Sequence, residues 1–185
     1  MKYSKAPIIS AIVMVLFLCA VKTSAVAQKS TIETTGDIFL IAVPVSALAS
    51  TLFTKDGKGS LQFAESFAFN QLLTLGLKEL IKKDRPNNGG DNAFPSGHTS
   101  TTFQGASFIH ARYGFKYAWP GYLLAGFTGF SRINAEKHDG YDVLAGAMVG
   151  IGSTLLFTKR FEKKNIALSY AGGNAQHMLR FRYVF

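Results

Sequence analysis

The stretch NAFPSGHTSTTF, residues 92–103, leads from a polar loop into a predicted helix. Ser96 is a favourable N-cap residue, and Gly97 and His98 begin the helix. The free N–H groups and the dipole of a helix start attract anions, and glycine lets an anion approach the backbone closely. Capping alone would explain Ser96 but would leave His98 without a reason. The stretch therefore predicts an anion-binding helix start beside a histidine.

Apolar segments separated by short polar loops surround this stretch, and they predict an all-α, compact helical bundle. A segment of 17 residues spans about 25 Å, slightly less than a hydrocarbon core of about 30 Å. Flanking lysines and aromatic residues can make up the difference, so length alone leaves membrane and soluble bundles open. Gly146 and Gly150 form a small-xxx-small pattern that predicts close helix packing. The predicted helices are 38–54, 61–82, 98–112, 117–130 and 141–157.

The composition fits one domain with a large buried surface. The chain has 185 residues, of which 48% are hydrophobic and 17% charged, and its mean hydropathy of +0.15 is high for a soluble protein. A formal charge of +9 favours anionic partners such as phosphorylated molecules or a membrane surface. No zinc-finger, RRM or helix-turn-helix pattern is present, so we expect no nucleic-acid partner. The single cysteine, Cys19, excludes a disulfide framework.

The two ends of the chain differ from its middle. Residues 1–27 combine a basic start, an apolar run over 7–21 and a small-residue pattern at 25–27, which predicts a signal peptide or a first transmembrane helix. Residues 28–164 form the predicted helical domain. Residues 165–185 alternate like two strands about Gly172, Gly173 and Asn174, which predicts a short β-hairpin-like tail.

Positive charge is concentrated at alternate ends of the apolar segments, as cytoplasmic loops require in membrane proteins. This pattern favours five or six transmembrane helices in a bacterial-type inner membrane, with the opposite end facing the periplasm. A soluble helical bundle with solvated loops remains the alternative. The residues at the positive ends are Lys2, Lys5, Lys55, Lys58, Arg112, Lys116, Lys159, Arg160, Lys163 and Lys164.

Three polar stretches, 78–86, 95–98 and 131–142, fall together at the other end in this topology. Lys78, Arg85 and Arg132 come from separate segments and would meet near the helix start at Ser96. Mutual repulsion makes such a cluster unfavourable unless an anion compensates it, so the three cations predict a phosphate cage.

His138 and Asp142 are four residues apart and would share one face of a helix that began at Lys137. A carboxylate beside an imidazole fixes its tautomer and stabilises its charged form, as a nucleophile requires. A helix-capping aspartate beside an exposed histidine is the alternative for this pair. A metal site would place a divalent ion among three cations, so we expect neither a metal nor another cofactor.

Three motifs occur in order: K-x6-RP at Lys78 to Pro86, PSGH at 95–98, and SR-x5-H-x3-D at 131–142. Together they resemble the type 2 phosphatidic acid phosphatase superfamily over residues 73–156. The resemblance implies that His138 attacks phosphorus and forms a phosphohistidine, with Asp142 orienting it. It also implies that His98 protonates the leaving oxygen and then activates water. The implied ligands of the phosphate oxygens are Lys78, Arg85, Ser96, Gly97 and Arg132.

The resemblance implies a metal-independent phosphatase whose substrates are phosphate monoesters or diphosphates of membrane lipids. A secreted, soluble periplasmic acid phosphatase and a non-catalytic membrane phosphate-binding or scaffold protein are the alternatives. Asp139 stands where lipid-acting relatives commonly have an aromatic residue, and it could disfavour an anionic headgroup or point to water. Only eight residues separate Pro86 from Pro95, so a substrate-reading lid here would be small.

Overall fold

A computed structural model describes residues 28–86, 88–161, 166–173 and 176–183. These residues form five helices and one antiparallel hairpin, in which Ile166 lies opposite Tyr183 and Gly173 opposite Gln176. The predicted all-α bundle with a β-hairpin tail is confirmed, while the predicted signal segment 1–27 lies outside the described residues. The elements are α1 (Gln28–Phe53), α2 (Gly57–Ile81), α3 (Gly97–Tyr113), α4 (Phe115–Asn134), α5 (Gly140–Phe157), β1 (Ile166–Gly173) and β2 (Gln176–Tyr183).

All five predicted helices are present, but three extend by about a turn or more beyond the apolar pattern. Helix α1 begins at Gln28 rather than at 38, α2 begins at Gly57 rather than at 61, and α4 covers Phe115–Asn134 rather than 117–130. The apolar period marks only the part of a helix that faces apolar surroundings, so polar end turns escape it. The additional turns of α1 and α4 matter here because they carry polar residues to the predicted site.

Helix α3 lies at the centre and packs against each of the other four helices. The two glycines of the small-xxx-small pattern allow the backbone of α3 to approach α5 closely. A Cβ atom added at Gly150 would lie 2.2 Å from the Ser100 carbonyl oxygen, and one added at Gly146 would lie 2.5 Å from the Ser96 carbonyl oxygen. The predicted close packing is confirmed, and it fixes the start of α3 against the start of α5.

The interior of the bundle is rich in polar residues, whereas its outer surface is apolar. Gln104 Nε2 donates to Ser66 Oγ at 2.9 Å, and Thr74 and Ser100 share a hydrogen bond of 3.0 Å, all four side chains being buried. Large apolar side chains are exposed on the four helices that surround α3, up to 82% for Leu80. This distribution is the reverse of that in water-soluble proteins and suits an apolar solvent.

By length and composition, two described helices can cross a membrane: Ser30–Phe53 and Gly140–Phe157. Each window holds few charged residues, and only 28% and 33% of the two windows are buried inside the bundle. The count of five or six spans therefore stays a prediction.

A buried ion pair closes the end of the bundle opposite the PSGH turn. Arg112 donates through Nη2 to Asp56 Oδ1 at 2.6 Å and through Nε to Asp56 Oδ2 at 2.7 Å. Arg112 also donates to the Lys159 carbonyl at 2.6 Å, and its own carbonyl accepts from Phe161 N at 2.8 Å. These bonds gather loops from three of the predicted positive ends at one end of the bundle.

Candidate active site

The PSGH turn caps α3 as predicted. The Ser96 side chain is the N-cap acceptor for Thr99 N, and Ser96 N donates to the Asp142 carbonyl at 2.9 Å. Pro95 and Ser96 are buried, so the turn is held on both sides. This bond joins the start of α3 to the start of α5 and sets the positions of His98 and Asp142 relative to each other.

A cavity of about 350 Å³ opens at this end of the bundle. Six of the eight predicted site residues line it, and the other two, Ser96 and Asp142, are buried immediately behind it. The three motifs therefore meet in one place, as the sequence predicted. The cavity is lined by Asp37, Lys78, Arg85, Gly97, His98, Arg132, Lys137 and His138.

His138 and Asp142 lie together, but not because they share a helix face. Helix α5 begins at Gly140, and His138 lies in the preceding loop, so the expectation of a helix from Lys137 onward is wrong. Asp139 is the N-cap, and its side chain and that of Asp142 form a capping box, each accepting a backbone N–H at 3.0 Å. Asp139 thus has a structural role as the cap of α5, and it does not line the cavity.

The capping box leaves Asp142 Oδ2 3.6 Å from His138 Nδ1. That distance is an ion-pair separation, slightly long for a hydrogen bond, and Nδ1 has no hydrogen-bond partner within the described residues. Because Nδ1 is on the Asp142 side of the ring, Nε2 is the nitrogen left for the cavity. Burial lowers the pKa of His138 to about 4, and the charge of Lys78 acts in the same direction. At neutral pH the ring is therefore the free base.

Lys83 is a part of the site that the sequence analysis missed. Its Nζ donates to Asp139 Oδ2 at 2.5 Å and to Asp142 Oδ1 at 2.7 Å, so one ammonium group bridges both carboxylates of the capping box. Burial acts to lower the pKa of Lys83, but these hydrogen bonds raise it above its usual value. The same bond to Lys83 holds the pKa of Asp139 below its ordinary value. Lys83 thereby compensates the charge of Asp142, whose side chain is fully buried.

The three predicted cage cations are held in different ways. Lys78 donates to the Asn92 carbonyl at 2.5 Å, across the loop that joins α2 to α3. Arg132 is 1% exposed and donates to the Glu33 carbonyl at 2.7 Å. The buried Nε of Arg85 has no hydrogen-bond partner among the residues that the structure describes. An unpaired buried guanidinium N–H is costly, and an oxyanion in the cavity would satisfy it.

Gly97 leaves room for a ligand where the start of α3 lines the cavity. An added Cβ atom would meet only Lys78 Cε and Thr74 Cγ2, both at the ordinary contact distance of 3.8 Å. Protein packing alone therefore does not require glycine at this position, whereas the approach of a ligand to the helix N–H groups would.

Helix α1 supplies two acids that the sequence analysis also missed. Asp37 Oδ1 accepts a hydrogen bond from His98 Nε2 at 2.9 Å and forms an ion pair with Arg132 Nη1, also at 2.9 Å. One turn earlier, the Glu33 carboxylate pairs with Lys137. Their spacing of four residues in the polar first turns of α1 was the available signal, but nothing in the sequence shows what those turns face.

The described residues contain no group of three or more histidine, cysteine, aspartate or glutamate side chains that could hold a metal ion. The metal-independent reaction stays a prediction, to be tested directly.

Comparison with known proteins places this geometry in a family. The model of the PAP2 superfamily matches residues 59–166. The chain is 31% identical to the lipid A 4'-phosphatase of Helicobacter pylori over 144 residues, 72% of each protein. It is 47% identical to the lipid A 1-phosphatase of Porphyromonas gingivalis over 70 residues, which are 36% of this chain but only 16% of that protein.

A solved structure shares the fold. The crystal structure of Aquifex aeolicus LpxE aligns with a TM-score of 0.60 at 20% identity, over 72% of this chain and 87% of that one. The family and the curated relatives indicate a phosphoric ester hydrolase. With its motifs, its bundle and its matched region in agreement, the chain belongs to the PAP2 superfamily.

Proposed function

We propose that this protein is a metal-independent phosphatase of membrane lipid phosphates that acts through a phosphohistidine at His138. The observation that carries the proposal is one cavity holding two histidines opposite a cluster of cations, at the end of a bundle with an apolar exterior. Binding a phosphate would need the cations, but it would need neither the buried free-base imidazole nor its carboxylate. That pair favours catalysis over a non-catalytic scaffold.

In the first step, His138 Nε2 attacks phosphorus while the bond to the leaving oxygen breaks. Because its pKa is about 4, His138 holds its lone pair ready at neutral pH. The positive charge that develops on the ring is compensated by Asp142, 3.6 Å from Nδ1. His98 donates a proton to the leaving oxygen and, in the second step, takes one from the water that releases inorganic phosphate.

The cations stabilise the transition state, in which negative charge accumulates on the phosphoryl oxygens. Lys78, Arg85 and Arg132 reach the cavity from α2, the following loop and α4, so they surround a bound phosphate from three directions. The N–H groups at Gly97 add the helix start as a fourth contact.

The proposed substrates are lipids because the site opens at the end of an apolar bundle. A phosphate headgroup could enter the cavity while its acyl chains stay against exposed leucines of the helices. The curated relatives are named lipid A phosphatases, so lipid A is the first substrate to test, followed by phosphatidate, phosphatidylglycerol phosphate and undecaprenyl diphosphate. A soluble acid phosphatase would instead prefer water-soluble esters.

The decisive experiment measures phosphate release by purified protein from these lipids and from soluble esters. We expect release from at least one lipid, and we expect His138→Ala to abolish it. The matched control is His110→Ala, which removes an exposed histidine at the other end of α3. Wild-type activity in His138→Ala would refute the assigned nucleophile, and preference for soluble esters would refute the lipid substrate.

A second experiment tests the metal-free reaction. Activity should survive EDTA, and vanadate, which can adopt the five-coordinate geometry of phosphoryl transfer, should inhibit more strongly than phosphate. Activity that EDTA removes and a divalent metal restores would contradict this part of the proposal.

The proposed orientation places the cavity on the periplasmic side of the inner membrane, following the positive-inside pattern. Single cysteines at Asn88 and Lys116 in a Cys19→Ser background test it, since both positions are exposed and lie at opposite ends of the bundle. Cysteine at Asn88 should react with an impermeant reagent from outside, and cysteine at Lys116 only after the membrane is opened. Labelling of both from outside would contradict the orientation.

A further inference from the structure

We infer that Asp37 is a positioning residue for His98, holding that imidazole in the tautomer that serves the leaving group. The inference rests on the proposed phosphatase function and extends it to helix α1. Residue 37 lies outside the region that the family model matches, 59–166. None of the three motifs predicted a role for it.

The hydrogen bond itself fixes the tautomer. An ionised carboxylate can only accept, so the nitrogen of His98 that lies 2.9 Å from Asp37 Oδ1, Nε2, must carry a proton. The other ring nitrogen, Nδ1, is then the one that gains and loses a proton during the reaction. In the imidazolium form, Nδ1 gives its proton to the leaving oxygen in the first step, which leaves the neutral ring protonated on Nε2. In the second step Nδ1 takes a proton from the attacking water, which restores the imidazolium.

Asp37 is itself held in place from α4. Its Oδ1 also forms an ion pair with Arg132 Nη1 at 2.9 Å, and Arg132 Nη2 donates to the Glu33 carbonyl one turn earlier in α1. Because Arg132 is almost fully buried, its guanidinium is a rigid support for the carboxylate. One oxygen atom of Asp37 therefore contacts both Arg132, a proposed phosphate ligand, and His98, the proposed acid.

A close approach of the α1 backbone to side chains at the end of α4 brings Asp37 near enough for these contacts. A Cβ atom added at Gly36 would lie 2.0 Å from Ser131 Oγ and 3.1 Å from Arg132 Nη2. Only glycine at this position lets the first part of α1 lie against the end of α4. The neighbouring residue in the sequence then reaches the cavity.

The two carboxylates of the site thus have parallel tasks. Asp142 lies behind the nucleophile His138, and Asp37 lies beside the acid His98. They differ in exposure, since the side chain of Asp142 is fully buried and that of Asp37 is 49% exposed. A half-exposed carboxylate can compensate an imidazolium without leaving a strong negative charge next to the substrate, because water screens it.

The test compares leaving groups, since loss of an acid matters most when the leaving oxygen is a poor one. The kcat/KM of Asp37→Asn and wild type is measured in detergent with p-nitrophenyl phosphate, whose leaving group needs little protonation, and with a long-chain alkyl phosphate. We expect a loss of at least about tenfold for the alkyl phosphate, part of the 10²–10⁴-fold typical of acid–base catalysis. For p-nitrophenyl phosphate we expect a loss below about threefold.

Three further variants sharpen the comparison. Glu65→Gln removes an exposed carboxylate from α2 and should leave both substrates unaffected. Asp37→Glu keeps the charge and should recover part of the alkyl phosphate activity. In a His98→Asn background, Asp37→Asn should cause no further loss for the alkyl phosphate, because the two residues act through one proton.

Equal losses for the two esters in Asp37→Asn would overturn the inference and leave Asp37 as a phosphate-site or structural residue. A gain in activity would overturn it as well, since it would identify Asp37 as a competitor of the substrate for Arg132. A full additional loss in the His98→Asn background would also overturn it. If wild-type protein hydrolysed neither ester nor any lipid phosphate, the proposed function itself would fail, which is a different result from any of these.

Discussion

Replacing Gly150 with alanine should destabilise the bundle at the contact between α3 and α5. The new methyl group would lie 2.2 Å from the Ser100 carbonyl oxygen and 2.8 Å from Gln104 N. Both are backbone atoms in the middle of a packed helix, so no side chain can rotate to relieve the overlap. To restore normal contact, the two helices must separate locally by about 1 Å.

Overpacking of this kind costs about 1–3 kcal/mol. Alanine gains about 1 kcal/mol over glycine from helix propensity. Because the overlap involves backbone atoms, we expect the upper part of the range, and thus a net loss of about 2 kcal/mol for Gly150→Ala. Gly152→Ala is the matched control, since an added Cβ there meets nothing within 4 Å. It should keep the propensity gain of up to about 1 kcal/mol.

The two variants and wild type are compared by denaturant unfolding in one detergent, followed by tryptophan fluorescence from Trp119. The free energy of unfolding should rank Gly152→Ala above wild type and wild type above Gly150→Ala. If Gly150→Ala proved as stable as Gly152→Ala, the reasoning from the α3–α5 contact would be refuted. Gly146→Ala should additionally lower kcat, because its methyl group would lie 2.5 Å from the carbonyl of the N-cap residue Ser96.

His138, Lys83 and Asp56 determine how activity and stability depend on charge and pH. Because the pKa of His138 is about 4, kcat/KM should decrease on the acid side only as the pH falls towards 4. If kcat/KM, corrected for substrate ionisation, already decreased near the ordinary value of 6.5, this acid limb of the pH profile would contradict the prediction. Lys83→Met leaves the negative charge of Asp142 uncompensated, which favours the imidazolium form of His138, so this limb should move to higher pH and kcat should fall. An unchanged pH profile would show that Lys83 only supports the capping box. Burial acts to raise the pKa of Asp56, but hydrogen bonds from Arg112, Gly59 N and Tyr113 hold it below its ordinary value of 3.8. The ionised Asp56 therefore stabilises the fold above pH 3.8, and this stabilisation is lost as the pH falls through the lower pKa of the folded state. Asp56→Asn should therefore cost about 3 kcal/mol at pH 7, and the difference in unfolding free energy should shrink in strong acid.

Helix-capping and spacing rules could predict those parts of the site whose residues are close together in the sequence. Ser96 could be recognised as an N-cap from its own neighbours, and the structure confirms it. The spacing of His138 and Asp142 was interpreted by the same local logic and misled, because Asp139 is an equally good cap and starts the helix later. The two residues still meet, since a capping box turns the N3 side chain back towards the residues before the helix.

Contacts between distant segments could not be predicted in this way. Lys83 lies 59 residues from Asp142, and Asp37 lies 61 residues from His98. No periodicity connects such pairs, because their proximity depends on how the helices cross. In both cases the sequence displayed only a charged residue near a helix end, where most charged residues simply meet solvent.

The polar interior explains why hydropathy identified so few spans. Among the described helices, α2 and α4 lack a window apolar enough to count as a span, and α3 is too short at 17 residues. The inward faces of these three helices hold many of the buried polar residues, including Asn70, Gln104 and Thr128. In hydrocarbon, apolar contact between helices contributes little, because lipid chains are equally apolar, and hydrogen bonds with close backbone packing hold helices together instead. The bonds from Gln104 Nε2 to Ser66 Oγ and from Thr154 Oγ1 to the Gln104 carbonyl do this across α2, α3 and α5. The same bonds fix the distances among side chains that reach the cavity from separate helices. The buried polar residues that lower the hydropathy of this chain therefore also hold the residues of its site in place.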